Sequence, residues 1–177
     1  MKQHIHIFGA SGSGTTTIAQ GLCKKLGYKN FDSDNYFWLP TTDPFTTVRD
    51  SKECTHLLHN DLQSHNQWIL SGSITGWGEI LLPLFDLVVF VYVPQDIRME
   101  RLKKREYERY GDRILIGGDR YQTSLDFIEW ASAYDLGTRN GRSLQKHEAW
   151  LKKVTCPVIR VDNHNVEESI QKVINSI

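Results

Sequence analysis

The stretch GASGSGTTT at residues 9–17 has the residue types and spacing of a loop that wraps a phosphate group. Glycines let consecutive backbone N–H groups turn toward one anion, and a helix that begins after them adds its positive end. The pattern G-x-x-x-x-G-K-[ST] matches here except at Thr15, where a lysine normally stands, and Thr16 falls where a hydroxyl binds Mg²⁺. The residues predicted to bind nucleotide phosphates are Gly9, Ala10, Ser11, Gly12, Ser13, Gly14, Thr15, Thr16 and Thr17.

Two alternatives for this stretch stay open. FGASGSG also resembles the G-x-x-G-x-x-G turn that opens the dinucleotide site of some reductases, with Asp32 about 20 residues on for a ribose. This alternative ranks lower because Thr15 occupies the last glycine position and no tyrosine is followed four residues later by lysine, the catalytic pair of short-chain reductases. The other alternative is a strand-to-helix turn without a ligand.

Arginines in the segment RMERLKKREYERYGDR are the candidates for the positive charge that the loop lacks. A missing lysine removes a charge-assisted contact worth about 1.5–3 kcal/mol. The first four arginines of the segment recur at helical spacing, so they lie close to one stripe of a helix. Most of these arginines are expected to pair with glutamates in solvent. However, a row of arginines that leads into a glycine-bounded loop can place guanidiniums on a triphosphate. The predicted catalytic arginines are Arg101, Arg105 and Arg113, with Arg120 in reserve.

Two carboxylates follow the second apolar segment, in the sequence FDSD. Asp32 and Asp34 are two residues apart, so they share one face of a strand end, near the mouth of the loop if the sheet is parallel. A carboxylate that orients a hydroxyl nucleophile and accepts its proton assists phosphoryl transfer. We therefore predict that Asp34 is the catalytic base and contacts the acceptor. The alternative is that both carboxylates only cap the following turn.

Aromatic residues near these carboxylates suggest a wall for a base or a sugar. Tyr36, Phe37 and Trp38 follow FDSD, and Trp77 follows the apolar segment WILSGS. Aromatic rings line many ligand pockets, but rings in such runs more often belong to the core. Trp38 and Trp77 are the two that we predict to bind the acceptor.

Strands and helices alternate along the chain, which is typical of a parallel α/β fold with helices on both faces of the sheet. The apolar runs IHIFGA, YKNFDSD, WILSGS, LVVFVYV and PVIRV predict strands. Helical spacing predicts helices at about residues 15–26, 51–64, 95–110, 124–134, 143–154 and 165–177. This arrangement sets the glycine stretch between the first strand and the first helix, with the two carboxylates at the end of the second strand.

Composition narrows the class of protein. A chain of 177 residues favours one domain over residues 1–177. Lysine plus arginine and aspartate plus glutamate number 21 each, so no charge field indicates a nucleic acid or membrane partner. Cys23, Cys54 and Cys156 are odd in number and lack a C-x-x-C spacing, which predicts reduced thiols in the cytoplasm. No apolar stretch has transmembrane length, and we expect a monomer or a homodimer.

The motifs together resemble the small P-loop nucleoside and nucleotide kinases, the adenylate kinase-like group that includes shikimate, gluconate and uridine kinases. In chain order they are GASGSGTT, DSD, WILSGS, FDLVVFVYVP, an arginine-rich segment and CPVIRVDN. The resemblance implies a three-layer fold with a five-stranded parallel sheet, an acceptor-binding segment at about residues 35–67 and a mobile lid at about residues 106–121. It also implies ATP and Mg²⁺, with Thr16 and Asp32 at the metal and Arg49 at an acceptor phosphate.

The chain departs from this group at the end of the third strand. Ser71 and Ser73 stand where the group usually carries an aspartate that supports the metal, which shifts that role toward Asp32 and Asp34. The predicted function is ATP-dependent phosphoryl transfer to a small acceptor, a nucleoside or nucleotide first. The alternatives are an ATP-binding regulatory protein without kinase activity and, third, an NAD(P)-binding reductase-like protein.

Overall fold

The computed structural model describes residues 1–177 and centres on a sheet of five parallel strands. The strands are β1 (His4–Gly9), β2 (Lys29–Asp32), β3 (Trp68–Ser71), β4 (Leu87–Tyr92) and β5 (Val158–Asp162). Their order across the sheet is β2-β3-β1-β4-β5, and every neighbouring pair is parallel. The α/β class and the five-stranded parallel sheet are therefore confirmed.

Seven α-helices connect and cover the strands. They are α1 (Thr15–Leu26), α2 (Asp34–Phe37), α3 (Ser51–Gln63), α4 (Gln95–Tyr110), α5 (Tyr121–Ser132), α6 (Leu144–Leu151) and α7 (Val166–Ile174). Two 3₁₀ segments cover Glu79–Leu84 and Gly111–Ile114. The predicted helix at residues 95–110 matches α4 at both ends, whereas α2 and the 3₁₀ segments were not predicted, because four to six residues are too short to show a period.

The two faces of β1 explain the layering. Ile5 and Ile7 point to one face and pack with α1 and α7, while His6 and Phe8 point to the other, because side chains alternate along a strand. His6 is fully buried and stacks on Phe8 at 5.2 Å and on Phe85 at 4.8 Å between ring centroids. Burial lowers the pKa of His6 to about 3, so this histidine is a neutral core residue at physiological pH.

Three further properties of the chain concern its cysteines, its metal-binding groups and its longest helices. All three cysteines are free, as the sequence predicted. No group of three or more histidine, cysteine, aspartate or glutamate side chains is arranged to hold a metal ion by itself. None of the helices is both long enough and apolar enough to span a bilayer.

Candidate functional site

The glycine stretch forms a compact loop between the carboxyl end of β1 and α1. Ser13 closes it by donating to the Ala10 carbonyl from its backbone N–H at 3.1 Å and from its hydroxyl at 2.7 Å. Gly12 and Gly14 have φ values of 83° and 87°, the left-handed region that favours glycine. Gly14 is the N-cap of α1 and offers no side-chain acceptor, so the first N–H groups of this helix lack a capping partner. The loop therefore presents backbone donors and a helix N-terminus to an anion.

Close packing holds this loop in one conformation. A Cβ at Gly12 would lie 2.8 Å from the carbonyl oxygen of Arg98 and 3.0 Å from Cγ of Leu102, both on α4. On another side, Asn163 follows β5 and donates from its side-chain amide to the Ser13 carbonyl at 2.9 Å. Asn163 is buried and accepts in turn from the Ser169 hydroxyl at 3.2 Å. Residues far apart in sequence thus fix the shape of the loop.

Arg101, one of the arginines predicted to be catalytic, lies against the loop. One end of its guanidinium donates to the Asn163 carbonyl at 2.7 Å, and the other lies 3.5 Å from the Gly12 carbonyl. This places a positive charge beside a loop that has no lysine. The neighbouring Arg98 on the same stripe does something else, since it is fully buried and pairs with Asp135. The arginines on this face of α4 therefore have different surroundings, since Arg98 belongs to the core and Arg101 contacts the loop.

Thr16 and Asp32 meet at the edge of the sheet, where the metal was predicted. The Thr16 hydroxyl donates to Oδ2 of Asp32 at 3.2 Å, and the backbone N–H of Asp34 donates to Oδ1 at 3.0 Å. Burial first, and then the charge of Asp34, raise the pKa of Asp32. No cationic side chain pairs with this carboxylate. A partly buried carboxylate beside a hydroxyl is a donor set of hard oxygens that suits Mg²⁺.

Asp34 and Arg105 both keep charged side chains without a hydrogen-bond or ion-pair partner in the protein. The Asp34 carboxylate begins α2 and makes no hydrogen bond or ion pair to the protein, and the Arg105 guanidinium likewise donates to no protein acceptor. Desolvation and the nearby charge of Arg109 lower the pKa of Arg105, whereas Glu106 and Asp34 raise it. Asp34 is thus within electrostatic range of Arg105, and both keep polar atoms free for a ligand.

Arg113 takes a position that the sequence did not predict. Its guanidinium forms two hydrogen bonds to Asp43, at 3.2 and 3.3 Å, and three to Asp119, at 2.7, 3.0 and 3.3 Å. Arg120 also reaches Asp43, at 3.3 Å. Both arginines belong to the predicted lid segment or its border, but here they bind carboxylates rather than the loop at residues 9–17. A catalytic role for Arg113 stays a prediction.

The carboxylate partner Asp43 lies on a hairpin that the sequence did not reveal. Trp38 and Val48 form an antiparallel bridge, and the Leu39 N–H donates to the Thr47 carbonyl at 2.9 Å. Phe45, near the tip of this hairpin, has a φ of 63°, which is unusual for an aromatic residue. No alternation of apolar residues marks the stretch PTTDPFTT as a hairpin.

The predicted acceptor residues lie in the same region. Arg49 is held by the Tyr36 carbonyl, to which it donates at 2.9 Å, and by the Glu53 carboxylate at 2.6 Å. Trp38 and Trp77 both contact the ring of Phe37, at 5.0 and 6.1 Å between centroids. The structure therefore brings the two tryptophans together, while the Arg49 guanidinium has two protein partners already.

A buried hydrogen-bond chain supports the loop after β3, where the expected aspartate is missing. The Tyr134 hydroxyl lies 2.7 Å from Nδ1 of His147, and Nε2 of His147 lies 3.1 Å from the Ser73 hydroxyl. Ser73 donates to the Thr75 hydroxyl at 3.1 Å, so we assign the His147 proton to Nε2. Burial lowers the pKa of His147 to about 3, which keeps this link neutral. Ser73 thus orients the β3 loop rather than supplying a charge.

A family model described as an AAA domain matches residues 5–124, more than half of the chain. The chain belongs to this family. Among curated relatives of this AAA domain chain, the uncharacterized protein YqaC of Bacillus subtilis (strain 168) is 47% identical over 176 residues, which cover 99% of this chain and 97% of YqaC. The cytidylate kinase of Archaeoglobus fulgidus is 26% identical over 113 residues, 58% of this chain and 61% of that enzyme.

Solved structures share the fold of this AAA domain. The crystal structure of shikimate kinase from Bacteroides thetaiotaomicron superposes with a TM-score of 0.60, over 99% of this chain and 98% of that chain, at 19% identity. At this identity the likeness shows the fold, a P-loop kinase-like α/β arrangement. Relatives and neighbours of known activity are kinases, which supports a P-loop kinase as the class of protein.

Proposed function

We propose that the protein is a Mg²⁺-dependent P-loop kinase that transfers the γ-phosphate of ATP to a small acceptor, a nucleoside or nucleotide first. Residues 1–177 act as one cytoplasmic domain in this proposal. The observation that supports this proposal best is that two polar groups without protein partners lie at the carboxyl ends of the strands. Asp34 has no protein partner, and the N-terminus of α1 has no cap, so one site offers a base next to an anion-binding loop.

The donor side binds the triphosphate mainly with its backbone. Residues 9–17 wrap the phosphates, and Arg101 and Arg105 supply the positive charge that Thr15 does not. Thr16 and Asp32 hold Mg²⁺, because their oxygens lie together and the Asp32 carboxylate lacks a cationic partner. When bound, Mg²⁺ would neutralise phosphate charge during transfer.

The acceptor side positions a hydroxyl for attack. Asp34 accepts the hydroxyl proton and orients its oxygen toward the phosphorus, while Trp38, Trp77 and Arg49 form the surrounding wall. The lid at residues 106–121 closes over both substrates and excludes water, which suppresses hydrolysis of ATP. In this mechanism Arg113 leaves its carboxylate partners when the lid meets the nucleotide.

A regulatory protein that binds ATP without transferring phosphate is the second candidate. The observation that favours it is the capture of Arg113 by Asp43 and Asp119, which leaves fewer cations for the transferring group. An NAD(P)-binding reductase has less support, since Asp32 bonds Thr16 and the Asp34 N–H rather than facing outward for a ribose.

One assay separates the first two candidates. ATP consumption is measured with a panel of nucleosides, nucleotides and sugars for the native protein, Asp34→Asn and Arg105→Ala. For a kinase we expect acceptor-dependent turnover that falls at least about 100-fold in Asp34→Asn, because the hydroxyl loses its base. Arg105→Ala is expected to lose turnover by about 10³-fold through lost charge stabilisation. Tight ATP binding with no turnover on any acceptor would support the regulatory protein instead.

A further inference from the structure

Three buried polar side chains join the segment after α5 to the loop after β3. Tyr134 follows α5, His147 lies on α6, and Ser73 belongs to the β3 loop, which comprises residues 72–78. All three residues are buried, and the ring of Phe8 packs edge-on against His147 at 5.0 Å between centroids. Apolar side chains would fill this space without the cost of desolvating polar groups, so packing alone does not account for the three.

Both nitrogen atoms of the His147 ring have a partner. Nδ1 accepts from the Tyr134 hydroxyl at 2.7 Å, and Nε2 donates to the Ser73 hydroxyl at 3.1 Å. His6 is buried in the same group of rings, yet its Nε2 has no partner. Burial, and then the charge of Arg142, lower the pKa of His147 to about 3, so its ring stays neutral and keeps this direction of hydrogen bonding near pH 7.

At one end, the hydrogen bonds from His147 fix the β3 loop. The Ser73 hydroxyl that accepts from His147 also donates to the Thr75 hydroxyl at 3.1 Å and accepts from the Thr75 N–H at 3.3 Å. Further along the β3 loop, the Trp77 carbonyl accepts from the Thr55 hydroxyl of α3 at 2.6 Å. The β3 loop is therefore held at both ends, and His147 supplies the buried contact at its start.

The β3 loop packs directly against the turn that carries the two carboxylates. Gly72 precedes Ser73 and has a φ of 88°. A Cβ at Gly72 would overlap Oγ of Ser33 and lie 3.5 Å from Oδ1 of Asp32. Because no space separates the β3 loop from this turn, a displacement of Ser73 also displaces the backbone on which Asp34 stands.

At the other end, Tyr134 is held from several sides. The helix α5 begins at Tyr121, where the proposed lid segment ends, and Tyr134 lies two residues after this helix. The guanidiniums of Arg98 and Arg139 lie 5.0 and 5.1 Å from the centre of the Tyr134 ring. The Tyr134 carbonyl accepts from the Leu144 N–H at 3.0 Å. Tyr134 thus gives His147 a fixed support from which to hold the β3 loop.

We propose that His147 is a positioning residue of the acceptor site, which holds the β3 loop against the turn at residues 32–34 through Ser73. His147 is inaccessible to solvent and touches neither substrate, so it acts on the acceptor through Asp34 and Trp77. The inference rests on the proposed function, because it concerns the acceptor side of the same site. A purely structural role would lower stability alone, whereas a positioning role also lowers the efficiency with which the acceptor is used.

Two substitutions of His147 separate these roles. Glutamine keeps an amide donor near the position of Nε2, whereas leucine removes it. With saturating ATP, we expect kcat/KM for the best acceptor of the panel to fall about ten-fold in His147→Leu and by less than about three-fold in His147→Gln. ATP affinity, measured by calorimetry, should change by less than about two-fold in both. Equal losses in the two variants, or an equal loss of ATP affinity, would overturn the inference.

A double-mutant cycle tests whether His147 connects the two ends. Tyr134→Phe and Ser73→Ala each remove one hydroxyl, and the double variant should lose little more acceptor kcat/KM than the weaker single variant. Tyr28→Phe is the matched control, because Tyr28 is also buried and donates to the Lys2 carbonyl at 2.9 Å, at the amino ends of the strands. It should lower the melting temperature as Tyr134→Phe does and leave the acceptor unaffected. Losses that multiply in the double variant, or an acceptor loss in Tyr28→Phe, contradict the connection.

Hydrogen exchange of the ligand-free protein tests the β3 loop without an activity assay. The N–H groups of Thr75 and Gly76 donate within or next to this loop, to Ser73 and Glu79. We expect both to exchange about ten-fold faster in His147→Leu and at the native rate in Tyr28→Phe. Native exchange rates in His147→Leu would overturn the inference. Absence of turnover on every acceptor in the native protein would instead remove the proposed function, while exchange would still decide whether His147 fixes the β3 loop.

Discussion

The loop at residues 9–17 and the hairpin at residues 38–48, which we propose to bind the donor and the acceptor, are held in different ways. Around the loop at residues 9–17 the contacts are buried, as in the hydrogen bond from Asn163 to Ser13, and they involve the backbone. The hairpin at residues 38–48 meets the lid through exposed pairs, Asp43 with Arg113 and Phe45 with Arg109. Buried hydrogen bonds resist rearrangement, whereas exposed ion pairs contribute little free energy. The loop at residues 9–17 is therefore held more firmly than the hairpin.

Backbone strain follows the same division. The left-handed residues of the donor loop are glycines, which adopt that conformation without cost. On the hairpin an aromatic residue, Phe45, takes the left-handed conformation, at a cost of about 1–2 kcal/mol. Its contacts with Trp38 and Arg109 offset this cost. A strained residue held by exposed contacts suits a segment that changes conformation when it takes a ligand.

The largest effect is expected from Gly12→Ala in the donor loop. The new Cβ would meet the Arg98 carbonyl and Leu102 while the backbone stays left-handed. We expect a loss of about 2 kcal/mol or more in the free energy of unfolding and a loss of ATP affinity of about 100-fold or more, measured by thermal denaturation and calorimetry.

Gly117→Ala is the matched control for Gly12→Ala. Gly117 lies in the lid segment with a φ of 89°, and a Cβ there would have no neighbour within 4 Å. It carries the same backbone penalty without a clash, so ATP affinity should change by less than about three-fold. Equal losses in the two variants would show that the donor loop is no more rigid than the lid.

Asp32→Asn is expected to have an intermediate effect, which raises the melting temperature and lowers the ATP affinity. Burial raises the pKa of Asp32, so the folded state binds more protons than the unfolded state, and this residue's contribution to stability falls as pH rises through that pKa. Removing the charge should raise the melting temperature of the ligand-free protein at pH 7 by about 2–4 °C. It should also reduce the Mg²⁺-dependent part of ATP affinity at least about ten-fold.

The pH dependence supplies the control for Asp32→Asn. Between neutral and mildly acid pH the native protein should gain stability relative to the variant, because protonation removes the same buried charge. A variant that melts at a lower temperature than the native protein at pH 7 would contradict an uncompensated carboxylate at Asp32.

The contrast between the loop at residues 9–17 and the hairpin at residues 38–48 also separates what the sequence could predict from what it could not. The loop follows from a local motif, and the nearness of Thr16 to Asp32 follows from the shared carboxyl ends of parallel strands. Asn163 lies two residues after the last predicted strand, but its bond to Ser13 spans 150 residues and has no local signal.

The acceptor half was predicted less well for a physical reason. The pair of Asp43 and Arg113 joins residues 70 apart, and the hairpin that carries Asp43 has no apolar alternation. The sequence assigned Arg113 to the triphosphate, because an arginine near glycines in a basic segment looks available. Which carboxylate or phosphate an exposed arginine meets depends on tertiary placement, so neither spacing nor composition predicts it.

The smallest effect is expected from Asp43→Asn. This substitution tests directly whether the hairpin at residues 38–48 can move relative to the lid segment. Asp43 holds Arg113 and Arg120 on the lid side, and replacing its carboxylate weakens the tie between hairpin and lid. The freed guanidiniums become available to phosphates, so ATP affinity should rise about two- to five-fold, measured by calorimetry at low ionic strength. Asp119→Asn is the control, because it removes a carboxylate from the same Arg113 but does not touch the hairpin. If Asp119→Asn raises ATP affinity as much as Asp43→Asn, the gain comes from the lost negative charge alone. The ion pairs between the hairpin and the lid segment then have no separate effect on ATP binding.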